Sequence, residues 1–503
     1  MKEDAKRFGS IVLSLSAVMG LSLLLGRLSG LYRELEFAKT FGISKTSDIA
    51  ILILTTPDLL VNLFLTGGLA AVLVPRLRQI SSDQRDELVG QIFVLVIFVF
   101  SLISVVIYVF PTQFFSILAP GLPEESVPEK LVILAICMSI PLLACSGVLI
   151  AYLHARKVFF MAGVSAIIFN LSVVGWLYLG RQFNWDLSIV LGLGILIGSL
   201  LRLTANILLA SLRWAYRIVH FDSIDGNLVR GFVSALGTSS LLVCIPIITR
   251  SFGSIIGEGS ISALTYSSKI VEFPVAVMVT AIATVSLTRL STLYDKNDFS
   301  NAERELRASL RHALCNGFAA CLILFYFSFP IVDVLLGYGA MDSNSVSRIS
   351  DLLQISVTAT PFIAVSSVLR SNLNAQNKPN LIFRATSSCL VALLILCLVS
   401  SLLGSERLVA ISVVIFHILY ALVLWIQNKK DGQFEIGLFS KKYCERVFGV
   451  AMALGLVFLL DRIFVKGSTH ESAVQVFMVA LLLGIIVVWP RSFISADAKN
   501  ASQ

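Results

Sequence analysis

Three basic residues lie inside stretches that otherwise have the composition of membrane-spanning helices. Arg27 and Arg33 belong to the first apolar run, and Lys269 belongs to the eighth. A cation at the centre of a bilayer costs roughly 3 kcal/mol on insertion scales, so it is retained mainly where it faces a watery cavity within the protein. Since a cationic cavity attracts anions, these residues predict a polar cavity inside a helix bundle and an anionic cargo.

Two glycines flank Arg27 and indicate how the first helix packs. Gly26 and Gly30 thin one side of this helix, which permits bending or the close approach of a neighbouring helix. We therefore expect this pair to act as a hinge or as a contact surface beside Arg27. A structural ion pair is the alternative role for the arginine itself.

The eighth run combines a charge pair with a proline. Glu272 follows Lys269 by three residues, on the same helix face. Pro274 then removes a backbone hydrogen bond and is expected to bend the helix. A charge pair beside a kink favours a moving gate in the cavity wall, and a static ion pair is the alternative.

The second run carries polar residues around another proline. Asp48 lies where a residue capping its own helix would lie. Asp58 and Asn62 are one turn apart on one face, just after the predicted break at Pro57. This stripe lines a cavity or permits close helix packing. Arg202, in the sixth run, is expected to extend from near a helix end towards the membrane surface.

The composition establishes a polytopic α-helical membrane protein. The chain has 503 residues, 56% of them hydrophobic and only 14% charged. Apolar runs near 20 residues recur along its length, and each is long enough to cross a bilayer as a helix, which predicts about 14 spans. No nucleotide-binding loop, paired catalytic carboxylates or metal-ligand spacing occurs in the sequence. We expect no cofactor, no metal and no nucleic-acid partner.

The net charge of +8 follows the expected membrane topology. With the N-terminus in the cytoplasm, Lys and Arg concentrate in the even-numbered breaks between runs, as the positive-inside rule requires. An even number of spans places both termini in the cytoplasm. We expect a monomer surrounded by membrane lipids.

An internal repeat divides the chain. The segment from Pro141 to Ala155 matches the segment from Pro361 to Ala375, 220 positions later, and a weaker match pairs Pro57 with Pro274. The repeat equates the fourth predicted helix with the tenth. Because the shift is an even number of spans, it predicts a parallel pseudo-twofold arrangement of two six-helix lobes, a transporter design with its site between the halves. The predicted parts are residues 1–217, residues 218–430, and two additional helices in residues 431–503.

Several motifs resemble the MurJ (MviN) lipid II flippases of the MOP exporter superfamily. They are G-R-L-S-G-L-Y-R-E in the first run, T-P-D-L-L-V-N-L-F and G-G-L-A-A-V-L-V-P-R-L in the second, and K-I-V-E-F-P in the eighth. The resemblance implies a secondary transporter, not an enzyme. It would move an undecaprenyl-diphosphate-linked saccharide from the inner to the outer leaflet by alternating access, driven by an ion gradient or the membrane potential.

The resemblance also assigns site residues. It implies that Arg27, Arg33, Asp48 and Lys269 line the central cavity, and that the helices in residues 431–503 form a groove for the lipid tail. Asn62 and Glu272 join this set through their positions beside the cavity residues.

The chain departs from the family pattern in the second helix. Val61, Asn62 and Thr66 stand where the family has two arginines and a glutamate, and Lys269 replaces an arginine. The cavity is therefore less cationic, and lysine lacks the two-pronged guanidinium that suits phosphate oxygens. A flippase for a lipid-linked O-antigen or exopolysaccharide unit is an alternative. A MATE-type antiporter and a membrane glycosyltransferase are further alternatives.

Overall fold

A computed structural model describes residues 2–63, 67–210, 241–275 and 279–430, together with the single positions 226 and 232. The described part of the chain contains 17 α-helices and no β-strand. The helices are α1 (Lys2–Phe41), α2 (Lys45–Val61), α3 (Gly67–Gln79), α4 (Ser82–Val109), α5 (Pro111–Leu118), α6 (Lys130–Ala155), α7 (Met161–Phe183), α8 (Leu187–Ala210), α9 (Cys244–Ile256), α10 (Ser260–Pro274), α11 (Thr280–Asp295), α12 (Phe299–Tyr326), α13 (Ser328–Leu336), α14 (Ser343–Val357), α15 (Thr360–Ala375), α16 (Pro379–Leu402) and α17 (Glu406–Lys430).

Seven of these helices are long and apolar enough to cross a membrane, namely α4, α6, α7, α8, α12, α16 and α17. Helices α14 and α15 form an eighth candidate if they are one span bent by 42°. The two helices predicted in residues 431–503, with their lipid-tail groove, and half of the seventh predicted helix (228–251) lie outside the described residues. The number of 14 spans therefore remains a prediction.

Helix α4 shows the polarity expected of a helix that faces lipid. Phe98, Leu102 and Val105 on its outer side are 67%, 57% and 56% exposed. Gln91 and Ser104 of the same helix are buried, at 0% and 6%. Apolar side chains outside and polar side chains inside are the reverse of a water-soluble surface, and they suit a hydrocarbon solvent.

Two predicted long helices each correspond to a pair of shorter α-helices, and a proline lies near the end of the first member of each pair. The second predicted helix is α2 and α3, and α2 ends at Val61, four residues after Pro57. The eighth predicted helix is α10 and α11, and α10 ends at Pro274. Residues 276–278, between α10 and α11, lie outside the described residues, so the bend expected at Pro274 remains a prediction.

The helices form two compact units, Met1–Ser262 and Ala263–Gln503. In the first unit, α6 packs against α4 and α8, and α7 packs against α1 and α8. In the second unit, α15 packs against α11, α12 and α17, and α16 packs against α17. The predicted lobe boundary at residues 217–218 lies outside the described residues and remains a prediction.

The two copies of the internal repeat end in the same turn. After α6, the backbone N–H of Val158 donates to the carbonyl of Leu153, at 2.8 Å. After α15, the N–H of Lys378 donates to the carbonyl of Leu373, at 2.9 Å and 220 positions later. Lys157 and Asn377 occupy the left-handed region between them, with φ of 67° and 56°. This is a six-to-one helix-ending motif, so both copies stop at equivalent residues.

Several helices begin at a side-chain cap, and the capping residues themselves lie outside the apolar spans. Ser81 and Gln84 form a reciprocal capping box at the start of α4. Asp342 caps α14 and accepts a hydrogen bond from the backbone N–H of Ser345, at 2.8 Å. Hydrogen bonds from the side chain and the backbone of Ser345 lower the pKa of Asp342, because they favour the charged carboxylate.

Candidate functional site

Arg27 lies on the exposed side of α1, opposite a close helix contact. A Cβ atom added at Gly26 would lie 3.2 Å from both the Cα and the carbonyl oxygen of Gly163 on α7. A Cβ atom at Gly163 would lie 1.9 Å from the carbonyl oxygen of Ser22. Gly26 is buried, whereas Arg27 is exposed, because successive residues of a helix point about 100° apart. Gly26 therefore packs closely against α7, which is one of the two roles that the sequence left open, and the exposed Arg27 lies on a different face of α1.

Gly30 faces the same neighbour as Gly26. A Cβ atom there would lie 3.5 Å from the Nδ2 atom of Asn170 on α7. Asn170 donates through this atom to the hydroxyl of Ser29, at 2.9 Å. Helix α1 runs through both glycines without a break, so the structure displays them as contact residues. Their role as hinges remains a prediction.

Arg33 is bound to its neighbours within the first unit. Its Nη2 atom lies 2.8 Å from Oε1 of Glu34, and the side chains are only 12% and 9% exposed. The guanidinium carbon lies 5.9 Å from the centre of the Phe169 ring on α7, which is within cation–π range. An anionic cargo would therefore have to compete with Glu34 for the guanidinium of Arg33.

Asp48 has a role that its position along the chain did not reveal. Ser44 caps α2, so Asp48 does not cap its own helix. The side chain is completely buried, and its two oxygens accept hydrogen bonds from the backbone N–H groups of Gly259 and Ser262, each at 2.7 Å. These are free donors at the start of α10, the helix that carries Lys269. Asp48 therefore caps a helix more than 200 residues away along the chain.

The loop that meets Asp48 requires glycine. Gly259 has a φ of +76°, in the left-handed region where a side chain is strained. This conformation aims its N–H at the carboxylate, and the hydroxyl of Ser262 donates back to the carbonyl of Gly259, at 2.9 Å. The negative charge of Asp48 also lies at the positive end of the α10 dipole, which stabilises both.

The polar stripe of α2 meets the accessible side of the first unit. Asn62 is exposed and Asp58 is half-buried. The backbone N–H of Asn62 still donates to the carbonyls of Asp58 and Leu59, although Pro57 lies within the same turn. Asn62 is therefore an exposed amide of the kind that hydrogen-bonds saccharide hydroxyl groups.

In the second unit, Lys269 and Glu272 form the predicted pair. The Nζ atom of Lys269 lies 2.8 Å from Oε2 of Glu272, and the side chains are 32% and 59% exposed. The pair is thus accessible and not enclosed in dry packing. An exposed ion pair at this spacing contributes only about 0.3–0.5 kcal/mol, so a phosphate can displace Glu272 at small cost. Pro274 ends the helix two residues later.

Sequence reasoning missed a polar network in the interior of the first unit. The Nε atom of Arg202 on α8 donates to the hydroxyl of Ser146 on α6, at 3.1 Å. The Nδ2 atom of Asn206 donates to the same hydroxyl at 2.7 Å, and its Oδ1 atom accepts from Ser165 of α7, at 3.0 Å. Arg202 is therefore held among the helices, and the predicted extension towards the membrane surface is wrong. Its spacing of four residues from Asn206 was the available signal.

A family model described as lipid II flippase MurJ matches residues 37–478 of this chain. A probable lipid II flippase MurJ of Aquifex aeolicus is 26% identical over 363 residues, which is 71% of each chain. The probable lipid II flippase MurJ of Buchnera aphidicola subsp. Acyrthosiphon pisum is 25% identical over 355 residues, 67% of this chain and 68% of the relative.

Solved structures resemble the same fold. A structure titled lipid II flippase MurJ in an inward closed conformation has a TM-score of 0.79 at 20% identity, and the match covers 95% of this chain and 100% of that one. An inward-facing multidrug resistance MATE family transporter of the MOP superfamily has a TM-score of 0.65 at 14% identity, covering 82% and 98%. At these identities the structures establish the architecture alone.

Proposed function

The chain belongs to the MurJ lipid II flippase family, and on that basis we propose that it carries lipid II from the inner to the outer leaflet of a bacterial cytoplasmic membrane. The observation that carries this proposal is the family match over residues 37–478, together with accessible cations at Arg27 and Lys269. The cargo is an undecaprenyl diphosphate bearing a saccharide. Both termini lie in the cytoplasm, and the protein acts as a monomer.

The diphosphate is the part of the cargo that the cations recognise. Arg27 is an exposed residue, and the planar donors of its guanidinium match phosphate oxygens in pairs. Lys269 exchanges Glu272 for phosphate, and Arg33 adds positive potential from its less accessible position. Asn62 binds a hydroxyl of the saccharide. These contacts replace the water that the charged headgroup loses when it leaves the membrane surface.

The undecaprenyl tail stays in the lipid while the headgroup crosses. The exposed apolar surface of the helices is compatible with lipid along the whole path, as on α4. The cavity opens first to the cytoplasm and then to the outside, so that the headgroup never enters hydrocarbon. The helices of residues 431–503 guide the tail in this proposal.

The driving force is the membrane potential or an ion gradient. Moving one unit charge across 100 mV is worth about 2.3 kcal/mol. When the cell interior is negative, outward movement of a diphosphate with two negative charges is therefore favoured by about 4–5 kcal/mol. No bond is made or broken in this cycle, and no cofactor takes part. Transport by this protein is therefore not an enzymatic reaction.

Depletion of the protein in its own cell tests the cargo. Undecaprenyl-linked lipids are extracted and identified by mass spectrometry, and their leaflet is determined with a probe that does not cross the membrane. The proposal expects lipid II to accumulate in the inner leaflet. Accumulation of an O-antigen or exopolysaccharide intermediate with normal lipid II would refute the cargo and favour the alternative.

Substitution of the cations tests the site. We expect Arg27→Ala to reduce transport at least tenfold while the protein inserts and accumulates normally, because one charge-assisted contact contributes about 1.5–3 kcal/mol. Arg181→Ala is the matched control, since Arg181 is bound to Glu36 at 2.8 Å. Transport by Arg27→Ala at the rate of the unsubstituted protein would contradict the proposed role.

A further inference from the structure

A chain of hydrogen bonds fixes one arginine inside the first unit. Ser165, Asn206 and Ser146 are completely buried, and they connect α7, α8 and α6. The hydroxyl of Ser146 accepts from both Asn206 and Arg202. Buried polar groups that are fully bonded to one another are rigid, because each lost bond would leave an unsatisfied group. The network therefore holds the Arg202 side chain in one position.

The hydrogen-bond network engages only the Nε atom of the Arg202 guanidinium. Nε is bonded to Ser146, and no described residue accepts a hydrogen bond from the two terminal nitrogens of Arg202. The side chain lies deep among the helices, yet it remains partly accessible. Asp58 lies on α2, which packs against α8, so its negative charge acts on Arg202. The two side chains form no ion pair within 4.0 Å in the described part of the chain. The outer edge of Arg202 thus faces accessible space with its donors unfilled.

Arg202 and Arg27 lie at similar distances, measured along their helices, from the same side of the first unit. Arg27 is about 21 Å from the end of its helix, Asp58 about 20 Å from the start of α2, and Arg202 about 22 Å from the start of α8. These three ends lie on one side of the first unit. The α1–α2 turn joins the first two, and the bond between Arg181 and Glu36 ties the end of α7, just before α8, to α1.

We propose that Arg202 and Asp58 form a further headgroup subsite in the first unit, in which Arg202 binds a phosphate of the cargo and Asp58 accepts hydrogen bonds from its saccharide. This inference rests on the proposed function. A guanidinium anchored through Nε offers its two terminal nitrogens as a pre-oriented pair of donors, the geometry that a phosphate accepts in bidentate fashion. Because a carboxylate repels phosphate and attracts hydroxyl groups, Asp58 orients the headgroup relative to Arg202.

The subsite also accounts for a departure in the sequence. Val61 and Asn62 leave α2 without the cations that are expected there, and the half-buried charged residue one turn earlier is the acidic Asp58. Arg202 supplies a positive charge to the same region from α8. The charge needed for a diphosphate is therefore provided by a different helix.

Binding of two lipids by the purified protein in nanodiscs tests the subsite. Undecaprenyl diphosphate is the anionic probe, and undecaprenol is the neutral probe with the same tail. We expect Arg202→Ala to weaken the binding of undecaprenyl diphosphate about 10–100-fold, the equivalent of one charge-assisted hydrogen bond, and to leave undecaprenol binding unchanged. Arg202→Lys keeps the charge without the paired donors, so we expect a smaller loss. Arg181→Ala is the matched control and should bind both lipids normally.

The outcomes separate this inference from the function on which it rests. Normal binding of undecaprenyl diphosphate by Arg202→Ala, with weakened binding by Arg27→Ala, would overturn the subsite and leave the proposed function standing. An equal loss of both lipids in Arg202→Ala and Arg202→Lys would also overturn it, because the arginine would then be structural. If the unsubstituted protein did not prefer the diphosphate to the alcohol, both proposals would fall.

Discussion

Replacement of Asp48 should lower the folding stability of the protein, and not only its affinity for the cargo. The carboxylate is completely buried and is the acceptor for two backbone N–H groups at the start of α10, at 2.7 Å each. Alanine at this position leaves both donors without an acceptor in a place that water does not reach. Asparagine keeps one oxygen, but it directs its own NH2 group towards the other donor and removes the charge.

The cost follows from these two bonds. A hydrogen bond to a charged group contributes about 1.5–3 kcal/mol, so Asp48→Ala should lower the free energy of unfolding by about 3–6 kcal/mol. Asp48→Asn should lower it by about half as much. Since the total stability of a domain is about 5–15 kcal/mol, the alanine variant should accumulate poorly in membranes.

Thermal unfolding in detergent measures the effect. A dye that reacts with thiols reports it, because Cys137, Cys145, Cys389 and Cys397 are free and buried until the helices separate. We expect Asp48→Ala to lower the melting temperature by about 5–10 °C. Asp58→Ala is the matched control on the same helix, since Asp58 is half-buried, and it should change the melting temperature little.

The opposite pattern would refute this reasoning. If Asp48→Ala melted at the normal temperature and yet failed to transport, the carboxylate would be a cargo ligand and its capping contacts would be energetically unimportant. The family resemblance alone favours that outcome, whereas the buried geometry favours loss of stability.

Two further substitutions test the packing of each unit. Gly163→Ala places a Cβ atom 1.9 Å from a backbone oxygen of α1, which cannot move aside, so we expect a loss of at least about 1–3 kcal/mol in thermal unfolding. Gly175→Ala on the same helix meets nothing within 4 Å and should be neutral or slightly stabilising, and equal melting temperatures for the two variants would contradict the contact. In the second unit, Arg348 binds Glu406 through two bonds of 2.8 and 2.7 Å at partial exposure, so a double-mutant cycle with alanine should give a coupling of about 1 kcal/mol. A coupling near zero would show that water screens the pair completely.

Local patterns predicted the parts of the structure that depend on local chemistry. Helix α10 ends at Pro274, a residue that disrupts helical hydrogen bonding, and Gly26 marks a close contact because it lacks a side chain. The repeat predicted that two segments would end alike, and Leu153 and Leu373 do accept equivalent hydrogen bonds. In each case the cause lies within a few residues of the effect.

The features that were missed depend on residues far apart along the chain. The partners of Asp48 follow it by more than 200 residues, and no local pattern distinguishes it from a residue that caps its own helix. Arg202 resembles other arginines of membrane helices until Ser146 and Asn206 are seen beside it. A single sequence specifies which side chains are costly in a membrane, but their partners depend on how the helices assemble.

The backbone contact between α1 and α7 has a mechanical consequence. Side chains between two helices act as a compliant layer that tolerates sliding by changing rotamers, but Gly26 and Gly163 leave no such layer. Translation of α1 along its axis would bring one main chain into collision with another. Helix α1 therefore cannot slide along its axis independently of α7. Any displacement of the Arg27 charge across the membrane must move α7 together with α1.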